Sequence, residues 1–143
     1  MARERFLVKS FGDNADGTRA GLVKLLELAG THKSSVIVVP ALNQVKGSLL
    51  TAVLGEQLSS ALIKHRKIAL ENGNSIELCS QATLKNFRRG DSYLALWGSK
   101  DSIEDIEALP LWTSCILVTW GPEDSETWVQ DHDVQVIYDD GKG

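Results

Sequence analysis

The run Val36-Ile37-Val38-Val39 constrains the fold more than any other stretch of the chain. All four residues are β-branched and Pro40 closes the run, so it reads as a short strand. Successive side chains of a strand point to opposite faces, so this one is apolar on both and needs cover on both. That is the condition of a central strand in a parallel sheet flanked by helices. The run Cys115-Ile116-Leu117-Val118-Thr119-Trp120 has the same character.

The rest of the chain alternates short apolar runs with stretches of helical period. A first strand over residues 5–11 is followed by a helix over 18–29, with Asp16 as its N-cap, Leu22, Leu25, Leu26 and Ala29 on one face, and Gly30 at its end. After the strand at 36–39, the longest periodic stretch predicts one helix over 45–71, with Gly55 as a bend and Gly73 closing it. Strands are expected at 75–79, 93–97 and 115–120, and an edge strand at 134–138. Ser80 caps a short helix through 87, Ser102 with Asp105 forms a weak capping box for a helix over 103–109 that stops at Pro110, and Asp124 or Ser125 caps a last helix through 130.

Six strands joined by five connections long enough for crossovers predict a parallel arrangement rather than hairpins. The expected fold is α/β, a three-layer α/β/α sandwich around a Rossmann-like, doubly wound, mostly parallel sheet. Counting strands along the chain, the first choice of order is 3-2-1-4-5-6 and the second is 2-1-3-4-5 with an added edge. The arrangement resembles the broad Rossmann-like and flavodoxin-like class, and no narrower family is indicated by its motifs. One domain over residues 1–143 is expected.

In such a sheet, ligands lie beyond the carboxyl ends of the strands, at a point where connections leave to opposite faces. The loop after the first strand, Gly12-Asp13-Asn14-Ala15-Asp16-Gly17-Thr18, leads into a helix N-terminus whose free N–H groups suit an anion. Its glycines at 12, 17 and 21 match neither G-x-G-x-x-G nor the P-loop, where Thr18 would occupy the lysine position. The expected ligand contacts are Gly12, Asp13, Asn14, Gly17, Thr18, Asn43, Lys46, Gly98 and Ser99, with backbone N–H groups near Gly17 and the Lys46 ammonium meeting the anion.

Other chemistries find no support in the residues. Cys79 begins a loop like those that hold a phosphatase nucleophile, but Lys85 stands where a bidentate Arg is needed, so a buried thiol is expected. Three scattered histidines and the lack of any C-x-x-C or H-x-x-x-H pairing predict no metal site. There is no G-x-S-x-G nucleophile motif. No catalytic residues are assigned, the reading leans away from an enzyme, and no cofactor is indicated.

Charge divides the chain. Residues 1–90 hold 13 Lys and Arg against 7 Asp and Glu, a net of +6, and residues 91–143 hold 2 against 12, a net of −10, for −4 in all. The basic residues form only short clusters, Lys64 to Lys67 and Arg88-Arg89, which disfavours a nucleic-acid partner. No apolar run reaches the roughly 20 residues of a membrane span, and the Phe6-Leu7-Val8 run that follows residues 1–5 is too short for the apolar part of a secretory signal, so a cytoplasmic location is expected. The leading functional expectation is a small soluble domain that binds a nucleotide or other small anion at its strand-end loops. The alternative is a protein-interaction or self-association module, in which the basic and acidic halves of two copies meet as a homo-oligomer. A nucleotide-related transferase using Asp13 or Glu123 as base comes third.

Overall fold

The structure is a computed structural model, and it describes residues 3–10, 15–40, 51, 55–70, 72–98, 100–109 and 111–139. In chain order these form β1 (Glu4–Lys9), α1 (Ala15–Ala29), β2 (Ser34–Val39), α2 (Glu56–His65), β3 (Lys67–Ala69) and β4 (Ser75–Ser80). A 3-10 segment (Gln81–Asn86), β5 (Ser92–Gly98), α3 (Lys100–Glu107), β6 (Ser114–Thr119), a second 3-10 segment (Pro122–Ser125), α4 (Glu126–Asp131) and β7 (Gln135–Asp139) follow.

The seven strands form one sheet in the order β3-β4-β2-β5-β6-β1-β7. Every pairing is parallel except that of β3 with β4. The chain thus has the expected α/β architecture, a mostly parallel sheet between two layers of helix. Odd and even residues of each strand feed two separate cores. Phe6, Val8, Ile37, Leu94, Ile116 and Val118 pack beneath α1 and α2. On the other face, Leu7, Val36, Val38, Ala95, Cys115 and Leu117 pack against α3, α4 and the first 3-10 segment through Ile103, Ile106, Trp128 and Leu84.

The strand order corrects both expected orders. Counted over the six expected strands it is 3-2-4-5-1-6, with the first strand between the fifth and sixth. Phe6, Leu7 and Val8 are all at most 4% exposed, so β1 needs a neighbour on each side and both faces covered. The edge is left to β7, whose Gln135 and Val136 are exposed. α1 makes the long crossover possible. Its 15 residues span about 22 Å, enough to pass over β6 and β5 and deliver the chain to β2, three strand spacings of ~4.8 Å away.

The expected helix over 45–71 is also corrected. Its residues 45–50, 52–54 and 71 lie outside the described residues. Gly55 adopts φ 86 and separates Thr51 from α2, and Arg66 at φ 64 ends α2 in the left-handed conformation. Residues 67–69 then form β3, antiparallel to β4, burying only Ile68. Periodicity carried through this point because Ile68 is buried in either conformation. Two caps are corrected as well. Asp16 lies inside the first turn of α1, which begins at Ala15. Ser102 lies inside α3, where its hydroxyl donates to Gln81 Oε1 at 3.0 Å and Gln81 Nε2 donates to Asp105 Oδ2 at 3.3 Å.

Candidate functional site at the carboxyl edge of the sheet

Parallel pairing brings the carboxyl ends of β1, β2, β4, β5, β6 and β7 to one edge. After β2 the chain leaves toward α2 on one face, and after β5 it leaves toward α3 on the other. A switch point falls between the ends of β4 and β2, where the chain leaves to opposite faces, and two more fall between β2 and β5 and between β6 and β1. The latter two boundaries flank the ends of β5 and β6.

The end of β5 is irregular. Ala95 pairs with Leu117 and Gly98 with Thr119, so β5 carries one residue more than β6 over this stretch, a β-bulge. Within it Trp97 sits at φ 54. A bulky side chain costs of order 1–3 kcal/mol in that conformation, so its surroundings must hold it there. They do so from one side through an indole hydrogen bond, in which Trp97 Nε1 donates to Thr18 Oγ1 at 3.1 Å. The next residue, Gly98, is buried, and a Cβ there would lie 2.9 Å from Leu117 Cδ1 and 3.0 Å from the Ala95 Cβ. The bulge therefore needs glycine at 98 for space, not for backbone freedom.

α1 begins at the same edge and lies unusually close to the strands. A Cβ on Gly17 would fall 2.6 Å from Ser10 Oγ and 3.4 Å from Tyr138 Cε1, and one on Gly21 would fall 2.5 Å from Val118 Cγ2. Thr119 joins β6 to β1, its hydroxyl contacting Val8 O at 3.2 Å and Ser10 O at 3.0 Å. One residue further on, Trp120 keeps 51% of its surface exposed. The carboxylate of Asp124 accepts from the backbone N–H groups of Trp120 and Gly121 at 3.3 and 2.8 Å and fixes the turn that carries the exposed indole.

Of the expected site residues, Gly12, Asp13, Asn14, Asn43, Lys46 and Ser99 lie outside the described residues. Gly17, Thr18 and Gly98 are described, and all three are buried at this edge. Thr18 meets Trp97, Gly17 meets Ser10 and Tyr138, and Gly98 meets Leu117. Their contacts shape the walls of the edge. The conformation of Trp97 carried no sequence signal, since left-handed residues are usually Gly or Asn. The exposure of Trp120 had none either, because it continues an apolar strand.

Among the described residues, both thiols are buried and one carboxylate is paired at the opposite edge. Cys79 and Cys115 are free and buried. Burial pushes the Cys79 thiol up to about 12 and raises Cys115 as well. At the amino edge, Glu107 accepts two hydrogen bonds from Arg5, at 2.6 and 3.1 Å, and one from Trp128 Nε1 at 3.0 Å, with His132 Nε2 at 3.7 Å. Burial opposes ionisation of Glu107, but the bonds from Arg5 and Trp128 and the charge of Arg5 outweigh it and hold the carboxyl below its ordinary value. Arg3 and Arg5 lie over the ring of Trp112, 4.1 and 5.4 Å from its centroid. This cluster ties β1 to α3 and α4. Among the described residues no group of three His, Cys, Asp or Glu converges as metal ligands, and no helix is long and apolar enough to cross a membrane.

Compared with known proteins, the chain matches no family model, no curated protein and no solved structure. A functional reading rests on the geometry of this chain alone.

Proposed function

We propose that the protein binds a nucleotide, or a closely related small anion, at the carboxyl edge between β2 and β1. The observation that carries the reading is Trp97, held at φ 54 in a bulge beside a switch point. Strain of this kind persists where the surroundings over-determine it, and it concentrates at binding sites. Two further features support it. The N-terminus of α1, a 15-residue helix, lies at the same edge and brings the positive end of its dipole toward a phosphate bound there. Trp120, half exposed on a turn braced by Asp124, offers a ring on which a base can stack. The sequence adds Lys46 in the segment that follows β2.

Thermal melting in the presence of nucleoside mono-, di- and triphosphates tests the proposal. A rise in melting temperature with at least one class, reduced in Lys46→Ala, is expected. No rise with any of them contradicts it.

A further inference from the structure

The amino-terminal edge of the sheet holds a second concave surface, an open cavity of about 300 Å³ beside the first 3-10 segment. Lys85, Arg88 and Arg89 line it together with a single carboxylate, Glu77. The three cations are exposed, and none is within the 4.0 Å of a carboxylate that would make an ion pair among the described residues. Lys67, the last residue of the other basic cluster, stands opposite Glu77 in the β3–β4 register.

The turn that carries the two arginines is held at both ends. Tyr93 is buried, and its hydroxyl donates to Phe87 O while accepting the Gly90 N–H at 3.0 Å. Gly90 is packed too closely for any side chain, since a Cβ would lie 2.9 Å from Val36 Cγ2 and 3.0 Å from Tyr93 Cζ. Asp91 then locks the turn to β2: its N–H donates to Ser34 O at 2.8 Å and its carboxylate accepts the Ser34 N–H at 3.2 Å. Arg88 and Arg89 thus project from a preformed backbone, which lowers the ordering cost of binding.

From this arrangement we infer that the cavity is a binding site for the phosphate monoester of a small phosphorylated metabolite. The three cations and one carboxylate that line the cavity leave two net positive charges, the adjoining Lys67 and Asp91 cancel, and a phosphate monoester carries about −1.5 to −2 at pH 7. Guanidinium forks match its oxygens in a bidentate manner, and the Lys85 ammonium adds a point charge. A carboxylate ligand would leave one charge unmatched. A nucleic-acid backbone offers single charges along an extended track rather than a dianion in a cavity of this size. The site is separate from the one at the carboxyl edge: Ser34 borders it, and Val39 at the other end of β2 is five residue steps, about 17 Å, away.

The test follows backbone amide signals of the full chain during titration with ribose 5-phosphate, with ribose as the uncharged control and an RNA dodecamer lacking terminal phosphates. Saturable shifts at residues 85–90 with ribose 5-phosphate and none with ribose are expected. Arg88→Ala with Arg89→Ala should weaken binding at least tenfold at an unchanged melting temperature, since both side chains are exposed. Trp120→Ala, which bears on the carboxyl-edge site, should leave it unchanged. Absence of saturable shifts at 85–90, equal binding by the double variant, or binding of the RNA alone would overturn the inference.

Discussion

The indole of Trp97 donates to the hydroxyl of Thr18 at 3.1 Å, and this bond fastens the strained end of β5 to the first turns of α1. Thr18 is 2% exposed, so neither partner exchanges the bond for water without opening the edge. Phe at 97 or Val at 18 removes one partner each, and a buried neutral hydrogen bond contributes about 1 kcal/mol. Urea unfolding of Trp97→Phe, Thr18→Val and the double variant should give a coupling energy of about 1 kcal/mol. Strict additivity would mean that the bond contributes nothing.

Gly98→Ala is expected to destabilise the fold by about 1–3 kcal/mol, because the new methyl group would meet Leu117 at 2.9 Å and Ala95 at 3.0 Å inside the core. Gly73→Ala places its methyl group in open space but at φ 87, so its cost comes from backbone strain alone, about 1 kcal/mol. Thermal unfolding of the two variants side by side separates steric from conformational demand. A smaller loss at 98 than at 73 would show that the bulge can relax.

Glu107 sets a pH dependence. Its carboxyl is held below its ordinary value of 4.5, so its ionised form stabilises the fold at any pH above that value. On acidification below 4.5 the unfolded chain takes up the proton first, and the contribution is lost as pH falls through the lower folded value. Glu107→Gln should therefore lower stability at pH 7 by roughly 1–3 kcal/mol and flatten the decline below pH 4.5. Urea midpoints between pH 3 and 7 give the comparison, and parallel curves for wild type and variant would remove Glu107 from the account.

The thiols should be silent in the native state. Cys79 and Cys115 are each at most 1% exposed, and the Cys79 thiol is pushed up to about 12, so almost no thiolate exists at pH 8. A colorimetric disulfide reagent is expected to count no thiol in buffer and two in denaturant. Rapid reaction of one thiol in buffer would show that its face of the sheet opens.

How far the sequence reveals these features depends on whether their cause is local. Val36 to Val39 and the strand from Cys115 announce two buried faces by composition, and the layered α/β architecture follows from them. Strand order does not, because Phe6-Leu7-Val8 would satisfy its need for two neighbours equally well beside β2 or beside β6. β3 was hidden because Ile68 extends the helical spacing of α2, and the residue that breaks the helix, Arg66 at φ 64, is not a glycine. At the carboxyl edge, Gly17, Thr18 and Gly98 were legible as strand-end and helix-start residues. That they are packing contacts is set by Ser10, Trp97 and Leu117, which are distant in the chain. Lys85, Arg88 and Arg89 read as an ordinary basic surface until Tyr93 and Asp91 are seen to hold their turn.

The proposal that the carboxyl edge binds nucleotides is tested most directly by following the indole and amide signals of the full chain during titration with ADP and UDP. Base stacking on an aromatic ring is worth about 1–3 kcal/mol, so Trp120→Ala should weaken binding roughly tenfold. The account predicts saturable shifts of the Trp120 and Trp97 indole signals and of the Gly17, Thr18 and Gly98 amides, with the Trp120→Ala variant folded and binding poorly. No shift at these five residues with either nucleotide, or undiminished binding by the variant, would contradict it.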